Sequence, residues 1–345
     1  MKALQLFSFI FLFIISISLN AQDIHFSQFW NAPLVQNPSF AGKSDGDFRC
    51  ILNHRSQWNS LMSSPFKSVG LDTDFRIKAG LKDSYLGFGI SVYSDVAGTS
   101  QHLTTLGNLT TAYHLKINQN NYISAGIQGG FYQLRNDGLD LRFDNQFEGT
   151  GHNPEKSHNE NLNQLAELAP TISAGVSYMW SNEFGKTHYK TFSRKRSFNI
   201  GIAIHHFNGT KMTFVQKDYS SLKLTTTLEG SLNTTPFWNL KPSVYLAFQN
   251  KAYDVVFGSL FVYKFNTDTN VNKEFSLGIG SYFRLNDALI PAFQIQYDSF
   301  LCTFSYDVNI SQLSYASNNR GGAEISLAYV PLNLFMKRKS KARFF

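Results

Sequence analysis

The sequence predicts an all-β fold: a transmembrane, antiparallel outer-membrane β-barrel of about 14 strands with an N-terminal plug-like segment. Three observations predict it. The 345 residues are 43% hydrophobic and 15% aromatic but only 16% charged, where soluble domains carry roughly 25% charged residues. From about residue 48 onward apolar and small or polar residues alternate with period two, the signature of strands with two different faces. Beyond the first 21 residues no apolar run approaches the roughly 20 residues of a membrane helix, and a mean hydropathy of -0.21 excludes a bundle of such helices. In lipid only helices and closed barrels satisfy the backbone, so a membrane chain of this kind must be a barrel.

The elements follow in order. Residues 1–21 read as a signal peptide, with Lys2 as the basic start, Leu6 to Leu19 as the apolar stretch, and Ala21 before a cut that leaves Gln22 first. An uncleaved anchor is the alternative, and the run is short for a span. No Cys lies near the cut, which speaks against a lipoprotein. Residues 22–47 mix aromatics with Asn, Pro and Gly and read as a plug inside the barrel or a periplasmic segment. Residues 48–330 are the barrel. In one copy of the pattern Leu86, Phe88, Ile90 and Val92 alternate with Gly87, Gly89 and Ser91; in another Ile172, Ala174, Val176, Tyr178 and Trp180 alternate with Ser173, Gly175 and Ser177 and end on the aromatics of an interfacial girdle. Turns at Asn118 to Asn121, Asn250-Lys251 and Asn286-Asp287 carry the residues that tolerate tight reversals.

A soluble β-sandwich would alternate too. Against it stand the number of strands without a domain break and an opposite parity rich in Gly, Ser, Thr, Asn and Gln, which suits a hydrated or plugged lumen better than a packed core. The longest polar insertion, 135–168, is expected outside the cell. The basic stretch 181–197, with Lys186, Lys190, Arg194, Lys195 and Arg196, is expected in the periplasm together with the tail 331–345.

Charge and chemistry narrow the function. Of the formal net charge of +7, Lys2 leaves with the leader and Lys337, Arg338, Lys339, Lys341 and Arg343 sit in the tail; subtracting these six leaves a body of about +1. A nucleic-acid footprint needs a basic face on a folded domain, so no nucleic-acid partner is expected. The tail reads either as a solvated terminus or as a contact for an anionic head group or periplasmic partner. Cys50 and Cys302 offer no metal-cluster spacing. His205 and His206 are adjacent strand residues expected on opposite faces, and His152 and His158 lie in a polar loop. No catalytic motif is present, so the chain is expected to be no enzyme and to need no cofactor, metal or small-molecule substrate.

Specific clusters remain: Gln22-Asp23-Ile24-His25-Phe26-Ser27-Gln28-Phe29, then Asn37-Pro38-Ser39-Phe40-Ala41-Gly42, Arg55-Ser56-Gln57-Trp58, Tyr282-Phe283-Arg284, Leu289-Ile290-Pro291, Ser305-Tyr306-Asp307-Val308-Asn309, and Gly321 to Tyr329. In this order they resemble the PorP/SprF family of outer-membrane proteins of the type IX secretion system, over essentially the whole mature chain. The resemblance implies a barrel of the Bacteroidetes outer membrane that serves protein export, as partner or anchor of secreted surface proteins such as the adhesins of gliding species, beside other secretion components. PorP-like and SprF-like roles both stay open.

From the residues themselves, Phe26 and Phe29 could wedge the N-terminal segment against the wall. Gln28, Asn37, Pro38 and Gly42 belong to the same segment, and Arg55, Gln57, Trp58, Arg284, Asp298 and Asp307 lie near strand ends or on lumen parities, where they either pair with it or are solvated. Asn37 to Gly42 is also similar to the hatch of FadL-type channels for hydrophobic molecules, with Ser39 as a departure, which makes transport the competing function.

Overall fold

The structure is a computed structural model that describes residues 25–59, 64–79, 84–98, 102–135, 144–148, 151–153, 155–156, 166–182, 196–209, 222–265, 274–312 and 314–331. The leader and the basic tail beyond residue 331 lie outside the described residues. Fourteen strands close one antiparallel barrel: β1 (Phe48–Gln57), β2 (Phe66–Lys78), β3 (Tyr85–Ala97), β4 (His102–Lys116), β5 (Asn121–Arg135), β8 (Ala166–Ser181), β9 (Arg196–His205), β10 (Lys223–Asn233), β11 (Trp238–Gln249), β12 (Ala252–Lys264), β13 (Phe275–Arg284), β14 (Ala288–Tyr297), β15 (Phe300–Asn309) and β16 (Arg320–Tyr329). Two short strands, β6 (Phe147–Glu148) and β7 (Gly151–His152), pair by themselves between β5 and β8. Each barrel strand pairs with its chain neighbour, and β1 closes on β16 in the register Cys50↔Tyr329 to Gln57↔Gly322. An even strand number puts the start of β1 and the end of β16 at one end of the barrel, called here the inner end. The long connection between β5 and β8 lies at the other, outer end, as in outer-membrane barrels.

Strands form because every second residue has an apolar environment to enter. On β3, Leu86, Phe88, Ile90 and Val92 face outward, while Gly87, Gly89, Ser91 and Tyr93 face the lumen. The outward rows leave large apolar side chains uncovered, Leu109 at 66%, Leu168 at 66% and Ile279 at 63% exposure. In water such a continuous band would drive association, and around a closed barrel it is the surface that lipid covers. Aromatic rings crowd the inner rim, with Trp238 against Tyr263 and Tyr263 against Phe265 at 4.9 Å, Phe265 against Phe275 at 5.0 Å, and Phe300 against Tyr329 at 4.8 Å. These are the amphipathic and bulky groups that settle at head-group depth. Among the described residues no helix is long and apolar enough to cross a membrane, which says nothing of strands.

Tight reversals use left-handed backbone at Asn250, Asn286 and Asp298, where short polar side chains limit the steric penalty. The pairing of β15 with β16 shifts between Tyr306 and Val308, so that Gly321 and Gly322 both oppose Asp307 in a β-bulge. A side chain at Gly321 would put its Cβ 2.2 Å from the Asp307 carbonyl oxygen. One expectation needs correction: His205 and His206 do not point to opposite faces. His206 lies past the end of β9 with φ +57, which interrupts the alternation, so both rings are buried and His206 Nδ1 meets the Thr171 hydroxyl at 2.7 Å.

Candidate functional site

Residues 25–47 bond to lumen-facing side chains of the barrel strands, and their three short helical turns are written locally. Phe29–Asn31 is a 3-10 turn, Pro33–Gln36 a single α-helical turn and Pro38–Phe40 a second 3-10 turn. Pro33 and Pro38 stand at first positions, where a missing N–H costs nothing and the ring presets φ. Asn37 caps the last turn by accepting from the Ser39 N–H at 2.8 Å. Gly42, at φ +74, turns the chain toward β1 and donates its N–H to Asp74 at 2.6 Å.

At the outer end the segment is held by charge. Glu324 accepts the main-chain N–H groups of Ser27 at 2.8 Å and Gln28 at 3.0 Å. Asp307 accepts the Ser27 hydroxyl at 2.7 Å and Arg55 at 2.8 Å, and Arg284 approaches it at 3.3 Å. Arg55 also donates to the His25 carbonyl at 2.8 Å, and Arg284 to the Ser27 hydroxyl at 3.1 Å. The Gln28 amide donates to Ser305 and to the Glu324 carbonyl, both at 3.0 Å, and Asn53 donates to the Asn31 carbonyl at 2.8 Å. Arg55, Asp307 and Glu324 are all buried, so these contacts operate where water does not compete and unpaired charge is expensive.

Beside this cluster Phe29 stacks on Tyr245 with centroids 5.5 Å apart and meets Tyr282 edge-on at 5.9 Å, while Trp30 stacks on Tyr282 at 4.0 Å. Phe26 packs with Tyr93, Leu106 and Tyr132 on the opposite wall.

Toward the inner end the segment is held by shape as well as by hydrogen bonds. Leu34 is fully buried above Gly89, and its carbonyl accepts from Gln128 at 3.2 Å. The Gln36 carbonyl accepts the Thr225 hydroxyl at 2.6 Å. The turn Asn37 to Ala41 then lies on a row of lumen-facing glycines from neighbouring strands. Added Cβ atoms would fall 1.9 Å from the Ala41 oxygen at Gly87, 2.5 Å from the Pro38 carbonyl carbon at Gly126, and 2.1 Å from Asn37 Oδ1 at Gly175. The Asn37 amide donates to the Val176 carbonyl at 3.2 Å, and His114 Nε2 lies 2.7 Å from the Ala41 carbonyl. Arg49 grips Asp74 through Nε at 2.8 Å and Nη2 at 2.9 Å and reaches the Phe40 carbonyl at 3.2 Å. Lys43 donates to Asn199, and burial lowers its ammonium to about 7 against the raising influence of Glu229.

Phe26, Gln28, Asn37, Pro38, Gly42, Arg55, Arg284 and Asp307 are thus brought into one assembly in the lumen. Gln57 and Trp58 are not: Gln57 pairs with Phe66 and Gly322 at the outer end of β1, and Trp58 packs tilted against Phe66 with centroids 4.9 Å apart. The strand runs out there, and Trp58, at φ +59, leaves the alternation. Asp298 sits exposed in the β14 to β15 reversal at the inner end, far from the charge cluster. Asp74, Arg49, Tyr245 and the glycine row escaped sequence reasoning, and Glu324 entered it only as part of the closing cluster Gly321 to Tyr329, without a role in the lumen. Their signal was inward parity on strands whose register only the closed barrel fixes. Among the described residues no cluster of His, Cys, Asp or Glu could hold a metal ion.

Among solved structures, similar chain paths include the TodX deltaS2S3 mutant monoaromatic hydrocarbon channel, at TM-score 0.49 and 12% identity over 87% of this chain and 94% of that one. BamA from Haemophilus ducreyi lacking POTRA domains 1-3 gives 0.43 and 12% over 82% and 70%, and the Ralstonia pickettii toluene transporter TbuX gives 0.44 and 10% over 86% and 92%. No curated protein matches the sequence. The pattern of one family, described as type IX secretion system membrane protein PorP/SprF, matches residues 18–329. The chain belongs to the PorP/SprF family of type IX secretion system membrane proteins, and its closed barrel is that of an outer-membrane protein.

Proposed function

We propose that this barrel is a non-enzymatic partner or anchor for a secreted cell-surface protein, such as a gliding adhesin, within the type IX secretion system, and that residues 25–47 are a plug that keeps the lumen shut. The observation that carries the reading is the fixing of the segment at both ends, by the Arg55–Asp307–Glu324 cluster outside and the glycine row inside. A conduit for a polypeptide or a solute needs a free path, and the many bonds of residues 25–43 to the wall support a closed one. Function then lies on the outer loops, where barrels carry their binding residues. Transport of hydrophobic molecules is the competing reading. The family favours secretion, and the lumen parity of β1 to β5 is largely polar, with Asn53, Asp72, Ser91, Asn108 and Gln128, although β12 to β14 turn Val256, Leu260 and Ile290 inward.

The test is deletion of the gene followed by mass spectrometry of surface and culture-fluid proteins, with the purified barrel examined for a co-purifying secreted chain. Loss or release of one large surface protein, captured with the barrel, is expected. An unchanged surface proteome with lost uptake of a hydrophobic solute would sink the anchor and favour the channel.

A further inference from the structure

The lumen face of the barrel wall carries charges of both signs, but the acids are confined to it. Every Asp and Glu within the fourteen strands has lumen parity, including Asp72, Asp95, Glu229, Asp254, Asp307 and Glu324. The charged side chains on the outward face are basic, and His54 stands among them. Three of them gather on adjacent strands at the barrel seam, at its outer end. His54 on β1 is exposed on the same face as Leu52 and stands opposite Val69 and Ile325. Lys67 on β2 is exposed and faces Ser56. Arg320 on β16 is exposed and stands opposite Val308, past the bulge. Neighbouring strands lie about 4.8 Å apart and residues rise about 3.3 Å along each; Lys67 is therefore about 8 Å from His54, while Arg320, five residues along β16 from Ile325 opposite His54, is about 17 Å from it, a spread that a head group bearing two phosphates bridges through the long side chains of Lys67 and Arg320. Ser56 and the half-exposed Tyr306 add hydroxyls on the same face. None of the three has an ion-pair partner among the described residues.

The surroundings fit one kind of occupant. The outer connections that flank this seam, 58–65, 98–101 and 310–319, contain no Asp or Glu, whereas the connection 136–165 carries Asp137, Asp140, Asp144, Glu148, Glu155 and Glu160. Below the cations the outward face continues as Leu52, Leu71 and Leu327, each more than 40% exposed, a surface for acyl chains. An ionisable side chain on a lipid face is costly unless something there receives it. His54, three residues inside the end of β1, is therefore not explained by snorkelling to the rim alone.

We infer that His54, Lys67 and Arg320 form an external site for the phosphorylated head group of an outer-leaflet glycolipid, with its acyl chains on the apolar rows beneath. The site fixes the rotational setting of the barrel in the outer leaflet and turns the acidic connection 136–165 away from the bound anion.

The test is native mass spectrometry of the full-length barrel titrated with diphosphoryl lipid A, its dephosphorylated form, or phosphatidylglycerol. K67Q/R320Q is compared with K251Q, which removes an exposed outer-rim cation elsewhere. About fivefold in affinity per cation is expected, so the double variant loses about twenty-fivefold, while K251Q binds as the parent does. H54Q added to the double variant weakens binding further. Heat-modifiable migration confirms that each variant has folded. Binding that survives K67Q/R320Q, that falls equally in K251Q, or that is as strong for the dephosphorylated form or for phosphatidylglycerol overturns the site. The readout does not involve secretion, so it stands or falls separately from the anchoring function.

Discussion

The two halves of the lumenal segment are bound by different means. Residues 25–31 are held by long polar side chains that reach inward from β1, β13, β15 and β16, with two arginines and two carboxylates converging on Ser27 and Gln28. Residues 33–42 rest largely on backbone, because β3, β5, β8 and β9 present glycine where the segment touches them. The outer half is directional and has groups to lose. The inner half keeps directional contacts too, Asp74 on the Gly42 N–H and Arg49 on the Phe40 carbonyl, but adds a close fit whose wall is harmed by adding atoms. One barrel therefore reads the segment by charge at one mouth and by charge and clearance together at the other.

The strongest way to break this comparison is to remove both halves. A barrel of this size is wider than its own side chains can fill, so deletion of residues 25–42 is expected to give steady ion conductance in planar bilayers where the intact protein gives none. A folded deletion variant that stays closed would mean that something other than the segment fills the lumen. Next in size is the outer half alone. Asp307→Ala leaves Arg55 and Arg284 without their shared carboxylate in a buried site, a loss of roughly 3–5 kcal/mol. The expected sign is a large drop in unfolding midpoint together with new protease cleavage near Ser27. Asp307→Asn keeps the shape and an acceptor oxygen and should lose less; equal losses would mean that packing, not charge, holds this end.

The inner half answers to volume. Gly87→Val places a Cβ against the Ala41 carbonyl, which is backbone and cannot swing aside, and overpacking of this kind costs roughly 1–3 kcal/mol. Gly129, whose added Cβ meets nothing within 4 Å, is the matched control and should tolerate Val with almost no change in midpoint. Equal tolerance at both positions would show that the segment is not seated on the glycine row.

These differences explain what the sequence disclosed. The strands were legible because period-two alternation is local: Leu86 to Val92 shows its lipid face without reference to any other strand. The turn Asn37 to Gly42 was legible for the same reason, since a cap, a first-position proline and a positive-φ glycine are neighbours in the chain. The partners of that turn were not. Gly87, Gly126 and Gly175 look like ordinary small lumen residues until the register Gly126↔Gly175 and the closure of β1 on β16 place them under it. Glu324 was hidden similarly, for it meets Ser27 across nearly the whole length of the chain. His206 and Trp58 misled because a left-handed residue at a strand end abolishes the parity rule, and neither is a residue type that announces such a backbone.

The finest test separates cap from contact at a single residue. Asn37 accepts from the Ser39 N–H and donates to the Val176 carbonyl, so it organises the turn and also ties it to the wall. Asn37→Ala removes both and should cost about 1 kcal/mol, the usual worth of a lost cap. Asn37→Asp keeps the capping acceptor, since Asp caps as well as Asn, but turns a carboxylate oxygen toward the Val176 carbonyl with no proton between them. That repulsion is made where Gly175 leaves no room for the side chain to rotate away. Asp should therefore be more damaging than Ala, an order that helix-capping preference alone would reverse. If the unfolding midpoints instead rank Asp with the parent, the tie to Val176 is dispensable and the inner half is held by the fit against glycine without it.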